Sequence, residues 1–357
     1  MKKFLLLLTL FFLIGCGIDE VGIEKDTPNK LFAYPNHGNI VYLVDYKSYT
    51  VVKKIELDIA ESLGLFGITL STNRDYLVFS GGQLHPPFGH FIASYNISDG
   101  VLQTFTTNFD SVGAPRLAPT LDHTNPGLIY FYSHSIGFYS IDFLEKKVIQ
   151  CISEEHGQSL GVTFYNTPNA SYTAVLKNLN NPTYSKIELF QQSSSLQNLL
   201  FVFNDNDEYG MSIYDVDFSE YDEFMYVSYQ LSEGRSREIE SYFGIYDLNN
   251  KQLFKSEIRF PWSLNPYYIE YSPKREEAYL VGKYDQFYII NTEKNALVDS
   301  VTITGKVEGP SRILTDPEEE VAFVSCSRSD KIVVIDLDYR QVIENIQISH
   351  PYKMIIP

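Results

Sequence analysis

Four histidines stand in short polar stretches of similar composition. His37 lies in PNHGN, His85 and His90 in GGQLHPPFGH, and His134 in SHSIG. Gly, Pro, Asn and Ser mark such stretches as turns. Imidazoles carried on neighbouring loops suit zinc or copper, and a metal-activated water is a route to hydrolysis. No carboxylate or cysteine stands at ligand spacing beside them, so no cofactor is predicted and a Zn or Cu site is an alternative. Arg235 and Arg237 in QLSEGRSREIES, and Arg328 in SRSDK, could clamp a carboxylate or phosphate through paired N–H donors. Glu233, Glu238 and Asp330 offer these arginines simple ion pairs instead. Trp262, the only tryptophan, sits in RFPWSLNP and could stack on a sugar or peptide, or pack on its own scaffold. The GxSxG, HExxH, P-loop and GxGxxG patterns are absent, so no catalytic residue is assigned.

The N-terminus carries chemistry of another kind. MKKFLLLLTLFFLIGC opens with Lys2 and Lys3 and runs on through apolar residues from Phe4 to Ile14. That run is too short for a membrane-spanning helix, which needs about 20 apolar residues, but it suits a signal-peptide core. LIGC at Leu13 to Cys16 resembles the lipobox of bacterial lipoproteins. The resemblance implies cleavage before Cys16, a diacylglycerol on its thiol and a further acyl chain on the new amino group. Two or more chains anchor firmly, at about 0.8 kcal/mol per buried CH₂. Residues 1–15 then form the signal peptide, and 16–27 the lipidated cysteine with a polar tether. Gly17 stands where an Asp would favour inner-membrane retention, so an outer-membrane, cell-envelope location is expected.

Loss of Lys2 and Lys3 with the signal takes the formal charge from −17 to −19. So acidic a surface repels phosphate backbones, and no nucleic-acid partner is predicted. Cys151 and Cys326 fall in different repeat units and are expected to be small packing residues rather than a disulfide.

These residues must be positioned by a repeat. IVYLVDYKSYTVVKKI from Ile40, IASYNISDGVLQTF from Ile92, FYSIDFLEKKVIQCI from Phe138, FGIYDLNNKQLFKSEI from Phe243, FYIINTEKNALVDSV from Phe287 and IVVIDLDYRQVIENI from Ile332 share one design. Each is a strand ending in Asp or Asn, a polar turn and a second strand. The markers Asp45, Asn96, Asp142, Asp247, Asn291 and Asp336 are spaced by 51, 46, 105, 44 and 45 residues. The long interval holds a degenerate copy near KIELFQQSSSLQNLLF, which makes seven. Two further strands precede each hairpin, as in YYIEYSPKRE and EAYLVG. Four strands per unit at this period, with no convincing amphipathic helix, predict an all-β chain: a seven-bladed β-propeller of four-stranded antiparallel blades over residues 28–357. The first unit lacks its innermost strand. HPYKMIIP at the other end supplies one that should pair into the first blade and close the ring.

AYLVG…FYIINTEKNALVDSV and VAFVSCSRSDKIVVIDLDYRQVIENI are similar to the repeats of the YVTN-type, surface-layer-like bacterial β-propeller family. That family has no common chemistry, so function must be argued from a site. The loops between second and third strands, which carry His37, His85, His90, His134, Arg235, Arg237 and Arg328, vary in length and chemistry. Trp262 sits in a fourth-to-first connection of the same face. Variable loops on a repetitive frame are where binding usually resides. The expectation is a monomeric, non-catalytic envelope scaffold for a protein, peptide or glycan, attached to the membrane through its lipid. The alternative is a metal-assisted hydrolase or lactonase-like enzyme using the same histidines.

Overall fold

The computed structural model describes residues 29–35, 38–57, 63–71, 73–83, 90–107, 116–119, 127–133, 137–152, 159–166, 172–179, 185–191, 199–203, 210–232, 239–260, 266–282, 285–303 and 309–357. Among these residues every regular element is a β-strand, and the strands form seven antiparallel sheets. The first sheet orders Pro351–Ile355, Lys30–Pro35, Ile40–Asp45 and Thr50–Glu56. The terminal strand thus lies first, with Phe32 opposite Ile355 and Ala33 opposite Met354. The second holds Leu63–Leu70, Tyr76–Gln83, His90–Asn96 and Leu102–Thr107; the third Arg116–Pro119, Leu128–Ser133, Gly137–Asp142 and Lys147–Ile152. The fourth, at the degenerate repeat, holds Ser159–Asn166, Tyr172–Leu179, Ser185–Gln191 and Leu199–Phe203. The fifth holds Gly210–Phe218, Phe224–Ser232 and Ile239–Asp247, and its outer strand is split into Gln252–Leu253 and Ile258–Phe260. The sixth holds Pro266–Ser272, Glu277–Gly282, Gln286–Asn291 and Ala296–Thr302; the seventh Pro310–Thr315, Val321–Cys326, Lys331–Asp336 and Gln341–Gln347.

Burial follows strand position. Second strands such as Glu277–Gly282 and Val321–Cys326 are buried at every residue, because both faces pack on neighbouring sheets. Fourth strands such as Thr50–Glu56 are mostly exposed. Apolar clusters join consecutive sheets. Leu31, Val44 and Tyr46 of the first meet Phe323, Val334 and Ile346 of the seventh. Phe32 and Val41 of the first meet Leu77 and Phe79 of the second. Cys326 is a free, buried thiol within the cluster between the sixth and seventh sheets, and burial pushes it up to about 12. It is a packing residue. Cys151 lies in Lys147–Ile152, but its side chain falls outside the described residues.

The marker residues act through their side chains. Asp45 Oδ1 accepts from the amides of Lys47 and Ser48 at 2.9 and 3.1 Å, and Asp336 Oδ1 from those of Asp338 and Tyr339 at 2.9 and 2.8 Å. Asn96, Asp142, Asp247 and Asn291 repeat the contact. Four residues after each marker the chain enters the left-handed region, at Tyr49, Gly100, Lys146, Lys251, Asn295 and Arg340. Only one of the six is glycine. Lys146, exposed at φ 55°, is the simplest to relieve. Lys146→Gly is expected to raise stability by about 0.5–1 kcal/mol in urea denaturation, the strain relieved outweighing glycine's extra freedom when unfolded.

Bulges recur at both edges of the sheets. In six sheets the first strand carries one extra residue against the second, at Phe66, Leu160, Tyr214, Tyr267, Ser311 and Tyr352. In five the outer strand carries one against the third, at Val52, Ile149, Leu200, Val298 and Ile343. Val52, Ile149, Val298 and Ile343 are exposed, and a bulge at an open edge twists it away from pairing with another chain.

Candidate functional site

Most residues singled out from the sequence, namely Cys16, His37, His85, His134, Arg235, Arg237 and Trp262, lie outside the described residues. His90 corrects one expectation. It is not a loop residue but the first residue of a third strand, opposite Gly82. Gly81 and Gly82 break the apolar pattern that marks a strand, yet their backbones continue the ladder. Gln230–Ser232 and Ile239–Ser241 likewise extend strands into the predicted Arg235/Arg237 loop. Arg328 lies in the turn between Val321–Cys326 and Lys331–Asp336, its stem against Gly309 (φ 87°). Its neighbour Asp330 engages His350, accepting from the His350 amide at 2.8 Å and lying 3.0 Å from Nδ1. Side chains of the predicted binding face converge at this turn and again where Tyr214 donates to Gln230, whose Nε2 donates to Ser241 at 3.0 Å.

A second cluster forms where the first strands converge. In Gly210–Phe218, Val216 and Phe218 pack towards the fourth sheet, so Asp215 and Asp217 point the other way, towards the sixth. The bulge at Tyr214 re-aims the strand just before this pair. A first strand has no neighbour on its inner side, so alternate amides there lack a ladder partner. The carboxylates supply one. Asp215 Oδ2 accepts from the Ile269 amide at 3.0 Å, and Asp217 Oδ2 from the Tyr271 amide at 2.6 Å. The two-residue step of the acids matches that of the amides. Glu270 repeats the device one sheet on, its Oε1 accepting from the amide and Oγ1 of Thr315, each at 3.1 Å.

Arg312 completes the group from the seventh sheet. Its Nη1 donates to both oxygens of Asp215 at 3.2 Å, and its guanidinium lies 5.5 Å from the centre of the Tyr268 ring. Tyr165 of the fourth sheet also donates to Asp215. One carboxylate thus receives donors from the fourth, sixth and seventh sheets. Only where first strands converge can a side chain pass over an intervening sheet in this way. Asp215 is 1% exposed, while Arg312 keeps 28% of its side chain accessible.

The electrostatics follow from enclosure. Burial pushes Asp217 up to about 7; amide bonds from Tyr271 and Phe218 oppose the rise, and the charge of Asp215 adds to it. Burial and then the charge of Asp217 push Glu270 up to about 8, against the bonds from Thr315 and the charge of Arg312. Burial disfavours the charge on Arg312, but Asp215, Tyr165, Tyr268 and Glu270 outweigh it and hold the proton more tightly. The cluster therefore combines one ion pair with two carboxyl groups that hold their protons more tightly than in water. Sequence reasoning missed it because the members are far apart in the chain. The available signal was charge inside otherwise apolar first strands: YDVDF, YIEYS and SRIL.

The opposite, turn-bearing face is occupied by links between sheets. Lys47 in the first sheet's outer turn meets the buried Asp316 of the seventh at 3.2 Å, with Glu318 and Glu320 beside it. Arg275 of the sixth reaches Asp338 of the seventh at 2.6 Å, and Arg340 returns to Glu277 at 3.1 Å and Asp299 at 3.2 Å.

No family model and no curated protein matches the chain. Solved structures do. Hydrazine synthase of Kuenenia stuttgartiensis is 12% identical with a TM-score of 0.64, over 86% of this chain and 92% of that one. A candidate 6-phosphogluconolactonase from Bacteroides uniformis is 14% identical with a TM-score of 0.63, over 92% and 99% of the two chains. A second from Bacteroides fragilis is 13% identical at 0.61, over 93% and 99%. At such identities the likeness is one of fold. The chain is all-β, built of antiparallel sheets, and similar to β-propeller-like proteins.

Proposed function

We propose that the seven sheets are the blades of one propeller over residues 28–357, closed by Pro351–Ile355, and that the chain is a non-catalytic binding scaffold of the bacterial cell envelope. Its binding face is formed by the second-to-third and fourth-to-first connections, and its partner is a protein, peptide or glycan. The observation that carries this reading is the commitment of the other face: its turns share one build and their charges are used between sheets, as in Lys47–Asp316, Arg275–Asp338 and Arg340–Glu277. The connections on the binding face share no such pattern in sequence. Lipidation at Cys16 and an outer-membrane location complete the proposal and rest on the N-terminal sequence.

A photo-crosslinking residue placed at Arg237 or Trp262 in intact cells is expected to give a discrete adduct, whereas one at Glu318 or Tyr339 gives none. Equal adducts from both faces would count against the assignment. Mass spectrometry of the same material reads the N-terminus directly, where a free Cys16 thiol would remove the anchor. A second reading, a metal-assisted hydrolase or lactonase-like enzyme using His37, His85, His90 and His134, draws support from the candidate 6-phosphogluconolactonases among the structural neighbours. Lactone hydrolysis lost with chelator and in His85→Ala or His134→Ala would establish it over the scaffold reading.

A further inference from the structure

Arg312 presents an unused edge. Its Nη1 alone serves Asp215, and among the described residues neither Nε nor Nη2 has a protein partner. These two N–H groups form the side-on fork that matches a carboxylate in plane and spacing. Tyr268 covers one face of the guanidinium and orients the fork. Glu270, close enough to Arg312 for each charge to act on the other, uses only its Oε1, for Thr315.

We infer that Arg312, Tyr268, Glu270 and Asp217 form a binding site for a small monocarboxylate, seated on the Nε–Nη2 edge of Arg312 and taken up together with a proton. Charge balance sets both the ligand class and the proton. The Arg312–Asp215 pair is neutral as a unit, so an anion is held only while Asp217 and Glu270 carry protons. With both ionised, the pocket is net negative and expels it. The charged groups beside Glu270 are Asp217 from the fifth sheet and Arg312 from the seventh, and Tyr226 of the fifth lies near Asp217. Burial raises Tyr226 and Tyr271, so neither contributes charge near neutrality, and the carboxyl pair sets the response. Lys353 occupies the position of Arg312 on the next first strand, each following a bulge. A protonated carboxyl can also donate to the bound carboxylate, which a second ionised acid could not. A phosphate dianion would bring a second charge for which the half-committed guanidinium has no answer.

The site is separate from the loop face, so either assignment can fail without the other. Calorimetric titration of the full-length chain in detergent, with acetate and lactate as probes, tests it. Binding is expected at about pH 6, weakening up to about a hundredfold per unit above about pH 8, with net proton uptake near pH 8 revealed by buffers of different ionisation heat. Arg312→Gln, if circular dichroism shows it folded, is expected to lose binding. The Asp217→Asn/Glu270→Gln double variant is expected to lose the pH dependence of binding. That variant decides the matter should Arg312→Gln not fold. No binding at millimolar probe, tighter binding of inorganic phosphate than of acetate, or an unchanged pH dependence in the double variant would each overturn the inference.

Discussion

Arg312→Met is expected to destabilise the protein by about 3–5 kcal/mol near neutral pH, the usual consequence of leaving one member of a buried ion pair behind. Asp215, almost wholly buried, would then keep only the Tyr165 hydroxyl and the Ile269 amide as donors. Asp215→Asn/Arg312→Met is expected to recover at least half of the lost stability, because an amide oxygen can still accept from Ile269 and no charge is stranded. Urea unfolding of the four proteins in the cycle gives the coupling energy directly. A coupling near zero would mean that the pair does not hold the fourth to seventh sheets together.

Thermal stability is expected to fall as pH rises from about 5 to about 8, opposite to the usual behaviour of salt-bridged acids. The sign follows from the direction of the shifts. Asp217 and Glu270 bind protons more tightly folded, at about 7 and about 8, than at their ordinary values of 3.8 and 4.5. Their stabilising protonation is therefore complete below about pH 4 and is lost as pH climbs through the folded values. Glu270→Gln keeps an acceptor for Thr315 and removes the later ionisation. It is expected to raise stability at about pH 8.5 by about 1–3 kcal/mol and to flatten the profile, since Asp217 then loses its like-charged neighbour. Scanning calorimetry across this range checks both statements. A melting temperature that rises steadily from pH 5 to pH 8 would refute the account of the cluster.

The hairpins were legible because their cause is local. Asp45, Asn96 and Asp336 bond amides two and three residues ahead, so the turn is written in adjacent residues. The terminal strand was legible because the first repeat lacked a partner that residues 351–355 matched in pattern. The bulges were not. Tyr214 and Ser311 look like ordinary alternation, and only the register against Phe224–Ser232 and Val321–Cys326 shows a residue left over. That single residue decides which way Asp215 and Arg312 point, so the cluster could not be assembled from periodicity. His90 was misplaced for a related reason. Ladder hydrogen bonds belong to the backbone, and Gly81 and Gly82 make them without displaying any strand pattern.

The first sheet joins Phe32 to Ile355, 323 residues along the chain. Contacts of such sequence separation carry a large loop-closure entropy and slow the folding search. A chain emerging from its N-terminus displays the Lys30–Pro35 edge, with Leu31 and Ala33 uncovered, until nearly everything else has appeared. Assembly therefore cannot proceed strictly from one end to the other. The early edge has to be kept from foreign strands in the meantime, which makes the period before Pro351–Ile355 docks the one in which the polypeptide most needs a chaperone.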